Sequence, residues 1–129
     1  MGKTALELSP EERRSFQPAE AIRQRNKDRK KEIGNRRSEA CLLARKAAGL
    51  LKSEFGAARV VVFGSLAHED WFTAWSDVDL AAWGIPPSRY FEAVAALTGL
   101  SPKIRIDLVD PESCRPRLRD TIEREGVEL

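Results

Sequence analysis

The sequence predicts an α+β domain in which a sheet of at least three strands is flanked by helices and preceded by a basic, mostly helical arm. Three observations carry this reading. Residues 59–63 include the unbroken apolar run Val60-Val61-Val62-Phe63, the mark of a strand covered on both faces. Residues 103–109 alternate, with Ile104, Ile106 and Leu108 on one side and Arg105, Asp107 and Val109 on the other, as a period of two requires. Around these strands, Leu43, Ala47, Leu50 and Leu51, and later Tyr90, Phe91, Val94, Ala95 and Leu97, recur at helical spacing.

A chain of 129 residues makes one domain with room for an appendage. Its net charge of +2 hides an asymmetry: residues 1–52 hold 14 Lys and Arg against 7 Asp and Glu, and residues 53–129 hold 8 against 13. An acidic body able to bind divalent cations thus follows a basic arm suited to an anionic partner or surface. The expected division is an arm over 1–39 and a domain over 40–129. No apolar run reaches a membrane-spanning length. Residues 1–10 lack the charged start and apolar centre of a signal peptide, and Leu6 stands where a myristoylation start needs Ser or Thr. No membrane association is expected. Cys41 and Cys114, 73 positions apart, show no paired spacing and read as reduced thiols of a cytoplasmic protein.

Taken in order, Ser9-Pro10-Glu11-Glu12 is a helix start with a serine cap and proline in the first turn. Pro18 either ends that helix after about two turns or opens a second. Residues 23–32 contain no apolar side chain, and Gly34-Asn35 is a further expected break. The arm's large apolar side chains are few, with Phe16, Ile22 and Ile33 the only ones over residues 11–39. Burying each stabilises by about 1.5 to 3 kcal/mol, whereas ordering each residue costs about 1 to 2 kcal/mol of backbone entropy. The arm is therefore not an independent domain. The plainest reading of its Arg/Lys run is a solvated helix face; docking on nucleic acid or on an acidic protein surface are the others.

From residue 40 the periodicity predicts an amphipathic helix over 40–53, ended by Gly56, and then the strand over 59–63. Gly64-Ser65 opens a turn into a short helix over 66–69, and residues 70–76, with Trp71, Phe72 and Trp75, form a loop. A second strand follows over 78–83. Gly84-Ile85-Pro86-Pro87 is a turn, residues 88–98 are a helix closed by Gly99, residues 103–109 are the third strand, and a last helix runs from Asp110-Pro111 toward Glu125 and stops at Gly126.

The chemistry gathers at the strand ends. Gly64-Ser65, leaving a buried strand, can turn sharply and offer backbone N–H groups and a hydroxyl to phosphate. Asp77 and Asp79, at i and i+2, point to one face while Val78 and Leu80 point to the other. Singly, a Gly-Ser turn or an Asp-x-Asp pair is usually only a turn or a solvated strand end. With Asp107 on the third strand they make a set of carboxylates that would raise one another's pKa, so a cation belongs among them. Mg²⁺ fits, because it takes oxygen ligands and is often completed by substrate phosphates.

The block Val-Val-Phe-Gly-Ser, then 11 residues, then Asp77-Val78-Asp79-Leu80, with Ile106-Asp107-Leu108-Val109 downstream, resembles the polymerase-beta-type nucleotidyltransferase superfamily. Within it the chain is most similar to the small, single-domain minimal nucleotidyltransferases, whose typical ending is also seen in Thr-Ile-Glu-Arg-Glu-Gly-Val over 121–127. The resemblance spans residues 40–129 and leaves out the arm. It implies the small nucleotidyltransferase fold with a mixed sheet. It also implies that Gly64 and Ser65 hold the β- and γ-phosphates of a nucleoside triphosphate, ATP as donor. Asp77 and Asp79 would bind one Mg²⁺, and Asp107 would complete a second metal position with them. AMP would pass to a hydroxyl of a protein partner. Small members resemble the antitoxin of a toxin-antitoxin pair whose toxin is a helical HEPN-type protein.

One departure concerns phosphate binding. Many relatives carry an Arg two or three positions after the serine, followed by Gly, and here His68 and Glu69 stand there. His68, Arg89, Lys103 or Arg105 could supply the missing cationic contact; the plainer reading of His68 is an exposed helix residue. Trp71, Phe72 and Trp75 could stack on a base, form a docking rim or bury one another. Few residues follow Asp107, which favours a protein acceptor over one read by an extra substrate domain. The alternative function, of a different class, is a degenerate fold that neutralises a partner by docking through the arm. Nucleic-acid binding by the arm is a third.

Overall fold

The computed structural model describes residues 18–68 and 71–129. The helix start at Ser9-Pro10, Phe16, Glu69 and Asp70 lie outside the described residues. The chain separates after Glu32 into two units, of which Ile33–Leu129 carries the sheet.

Helix α1 runs unbroken over Pro18–Phe55, so the expected break at Gly34-Asn35 does not occur. A single glycine in a helix interior costs only about 1 kcal/mol, and helix propagation is cooperative once one end is anchored. Here the anchor is the C-terminal half, where Ala40, Leu43, Ala44, Ala47, Ala48, Leu51 and Phe55 are buried at three- and four-residue spacing. The Ser38 hydroxyl also donates to the Gly34 carbonyl at 3.0 Å. Over residues 19–32 every side chain is exposed, which agrees with a solvated face.

Gly56, at φ +71°, turns the chain out of α1. Strand β1 (Arg59–Phe63) then pairs antiparallel with β2 (Val78–Trp83), placing Val62 opposite Leu80 and Phe63 opposite Asp79. After β2 a short 3₁₀ turn over Pro87–Arg89 leads into α2 (Tyr90–Thr98). That helix is the crossover that allows β3 (Ile106–Val109) to lie parallel beside β2. Helix α3 (Pro116–Glu125) and a two-residue strand β4 (Val127–Glu128), antiparallel to β1, complete a four-stranded mixed sheet in the order β3-β2-β1-β4.

Two elements are shorter than their sequence patterns predict, each because side chains divert the backbone. The third strand begins at Ile106 instead of 103, because the Ser101 hydroxyl accepts the N–H groups of Lys103 and Ile104, each at 3.2 Å. The last helix begins at Pro116 instead of 110. The Asp110 carboxylate accepts the Glu112 N–H at 3.0 Å and the Ser113 hydroxyl at 3.1 Å, which closes a turn first. The helix after Gly64 is a single 3₁₀ turn, Gly64–Ala67.

The sheet has two unequal faces. Val60, Val62, Val78, Leu80, Ala82 and Ile106 join the buried residues of α1 and α2 in the main core. On the other face Val61, Phe63 and Ala81 pack with Ile122 of α3 in a much smaller cluster. By strand parity Asp77, Asp79 and Asp107 belong to this second face.

Candidate active site

The site begins where β1 ends. Gly64 has φ +71°, a left-handed conformation that costs other residues about 1 to 2 kcal/mol. A Cβ there would also lie 2.5 Å from Asp79 Oδ2. Glycine is thus required twice, by the turn and by the carboxylate against it. Asp79 stands opposite Phe63 on one side and opposite Asp107 on the other. Its pKa is raised to about 6 by burial, then by Asp107, then by Asp77. The sheet therefore brings the three predicted aspartates onto one face beside the predicted glycine turn. Ser65 follows in the same 3₁₀ turn, half-buried.

The loop that delivers Asp77 is internally braced. The Ser76 hydroxyl accepts the Thr73 N–H at 2.9 Å, and the Thr73 hydroxyl oxygen accepts the Trp75 N–H at 3.2 Å. At the entry to β2 the Val78 N–H donates to the Arg105 carbonyl at 2.9 Å. Arg36 of α1 adds a long-range tie. Its guanidinium donates to the Ser76 carbonyl at 3.2 Å and the Lys103 carbonyl at 3.4 Å, linking the approaches to Asp77 and Asp107. Arg37 beside it donates to the Leu66 carbonyl at 3.4 Å. Sequence reasoning missed both arginines by taking the basic run as solvent-facing. A signal was present: the buried stripe of α1, extended back from Ala40 by three and four residues, falls on Arg37 and Arg36.

The four cations considered for phosphate separate clearly. The Arg105 Nε donates to Asp107 Oδ1 at 3.1 Å, inside the carboxylate set, and Lys103 lines the adjoining cavity. Arg89 is bonded to the Glu54 carbonyl at 2.7 Å and lies 4.7 Å over the Phe55 ring, at the other end of β2. His68 corrects the expectation of an exposed helix residue: it is half-buried, 3.3 Å from the Glu125 carboxylate, and stacked on Trp71 with ring centroids 3.7 Å apart. The aromatic loop divides as well. Phe72 is buried in the main core, whereas Trp71 and Trp75 stay exposed.

A cavity of about 730 Å³ opens against β3, with Asp77, Asp107, Arg36, Lys103, Arg105 and Trp75 among its walls. As a cation site the donor set is chemically apt: oxygen-only, net negative, with one carboxylate whose proton affinity is raised by burial and then by its neighbours. Among the described residues no three of His, Cys, Asp and Glu close to metal-binding distance.

The mixed four-stranded sheet, with a glycine turn set against paired strand-end carboxylates, makes this a small α+β domain whose function resides in that site rather than in the fold. The model of the family described as "Nucleotidyltransferase domain" matches residues 44–129, and the chain belongs to that family. A solved structure assigned as a minimal nucleotidyltransferase is similar at 34% identity, over 70% of this chain and 94% of that one, with a TM-score of 0.55. At lower identity the fold also matches a toxin-antitoxin MntA-HepT structure (21%, TM-score 0.50, 67% of this chain and 68% of that one). A toxin-antitoxin structure with AMP-PNP matches likewise (21%, TM-score 0.53, 66% and 70%). No curated protein matches the chain. Among the described residues no helix is long and apolar enough to cross a membrane.

Proposed function

We propose that this chain transfers AMP from ATP to a hydroxyl of a protein partner, acting as the antitoxin of a toxin-antitoxin pair with a helical HEPN-type toxin. The observation that carries the reading is the Asp79 carboxylate lying against the Gly64 turn with Asp107 in register beside it. Family membership supports nucleotidyl transfer. The toxin-antitoxin neighbours, one of them with AMP-PNP, support the protein acceptor and the adenine nucleotide.

In this reading the backbone of Gly64 and the hydroxyl of Ser65 hold the β- and γ-phosphates. Asp77 and Asp79 would hold Mg²⁺, and Asp107 would complete a second metal position. When bound, the metal would supply positive charge against the phosphates and lower the pKa of the acceptor hydroxyl. The acceptor oxygen forms a bond to the α-phosphorus as the bond to the β-bridging oxygen breaks. Pyrophosphate leaves, and the hydroxyl proton passes to a carboxylate of the set and on to water. Arg36 and the Thr73-Ser76 bonds keep Asp77 in place, so that catalysis comes from positioning and charge.

The test is intact mass. Incubation with MgATP and a candidate helical HEPN-type partner should add one adenylyl group to that partner, and Asp77→Asn should lower the rate by at least about 100-fold. No mass change with any of the four nucleoside triphosphates would sink the enzymatic reading. A second reading, neutralisation by docking alone, draws on His68, which is engaged by Glu125 where many relatives have an arginine. It predicts that Asp77→Asn still silences the partner.

A further inference from the structure

We propose that the cavity against β3 is the acceptor site and that it takes a hydroxyl-bearing peptide segment flanked by acidic side chains. The proposal rests on the transfer reading above and names the substrate class of that site.

Position is the first argument. Asp77 and Asp107 are in the cavity wall, whereas Gly64, Ser65 and Asp79 are not. The carboxylates thus stand between the glycine turn and the cavity. In phosphoryl-type transfer the attacking and leaving oxygens lie roughly in line on opposite sides of the phosphorus. With the terminal phosphates at Gly64 and Ser65, the attacking hydroxyl arrives from the cavity side. At about 730 Å³ the space suits one side chain with its flanking residues.

Charge is the second. Arg36, Lys103 and Arg105 all line the cavity. Of these Arg105 is paired with Asp107 at 3.1 Å. Among the described residues neither Arg36 nor Lys103 forms an ion pair. The hydrogen bonds of Arg36 go to carbonyls, which leave its charge uncompensated. With Arg105 these two make three cations against the two carboxylates Asp77 and Asp107 in the cavity wall, a balance of one positive charge that favours an acidic visitor over a basic one. Trp75, 90% exposed on the same wall, offers a flat apolar face to an aromatic acceptor such as tyrosine.

Two fluorescent synthetic peptides, each with a single tyrosine flanked by Asp and Glu in one and by Lys in the other, test this. They are titrated against the full chain with Mg²⁺ and a non-hydrolysable ATP analogue, and separately incubated with MgATP for intact-mass readout. The acidic peptide should bind at least about tenfold more tightly than the basic one. Lys103→Glu, at an exposed position, should abolish that preference while leaving the affinity for the analogue within about twofold, and Trp75→Ala should weaken the binding of the acidic peptide. Equal binding of the two peptides overturns the proposal. So does a Lys103→Glu variant that weakens the analogue instead of the peptide, because the cavity would then hold the nucleotide. Selective binding of the acidic peptide with no adenylyl group added supports the cavity assignment and counts against the transfer reading. Equal labelling of both peptides does the reverse.

Discussion

The two faces of β2 answer to different demands. Val78 and Leu80 are wholly buried against α1 and α2, with Ala82 nearly so, and they supply cohesion. Asp77 and Asp79 alternate with them on the opposite face, where Asp79 is held half-buried between Phe63 and Asp107. One face minimises free energy by excluding water, and the other gathers like charges that repel. Stability and chemistry here are divided by strand parity, so either can be removed with limited effect on the other.

The largest expected effect sharpens that division. Leu80→Ala removes a fully buried side chain and should destabilise the domain by about 2 to 5 kcal/mol in urea unfolding. Asp79→Asn, one position away, should leave the unfolding midpoint unchanged or higher, because it removes a carboxylate whose charge is disfavoured by burial and then by its neighbours. Its transfer rate should fall by at least about 100-fold. Loss of stability in Asp79→Asn comparable with that of Leu80→Ala would show that the two faces of β2 are not separable in this way.

Gly64→Ala tests the point where the two demands meet. The left-handed backbone alone should cost about 1 to 2 kcal/mol, and the new methyl group would push the Asp79 carboxylate from its position 2.5 Å away. The substitution should therefore lower both thermal stability and transfer. A variant with native activity would show that Asp79 is free to move without consequence.

How far the sequence revealed this arrangement depends on whether a feature is local. The continuous run Val60-Val61-Val62-Phe63 and the parity of Asp77 and Asp79 are local, and β1, β2 and the shared face followed from them. Asp107 was legible as a residue, but its register against Asp79 depends on a parallel pairing made possible by the α2 crossover, which no short pattern encodes. Arg36 was hidden because its charge outweighs its place on the buried stripe of α1, and its partners lie 40 and 67 residues away. The supposed break at Gly34 failed because propensity is a weak term beside a helix half anchored by buried Ala and Leu side chains. His68 could not be placed without Glu125, 57 residues on. Strand β4 has two residues, too few to show a period.

The smallest effect is electrostatic and bears on the charged face alone. The pKa of Asp79 is raised in the folded chain to about 6, against about 3.9 for an unperturbed aspartate. The folded state therefore binds a proton more tightly than the unfolded one over this range. Its contribution to stability is fully present below about pH 4, declines as pH rises through about 6, and is absent above that. Without metal, the urea midpoint should fall between pH 4 and 6 and then level off, and Asp79→Asn should lack that decline. The amplitude should be modest, because Asp79 is only half-buried and solvent screens its neighbours. Mg²⁺ at pH 7 should raise the midpoint of the native sequence and do little to Asp79→Asn, since a ligand that binds only the folded state stabilises it. Chelation should reverse the gain. An Mg²⁺ response that survives Asp79→Asn unchanged would place the cation elsewhere and leave the two faces of β2 distinguished by charge but not by metal chemistry.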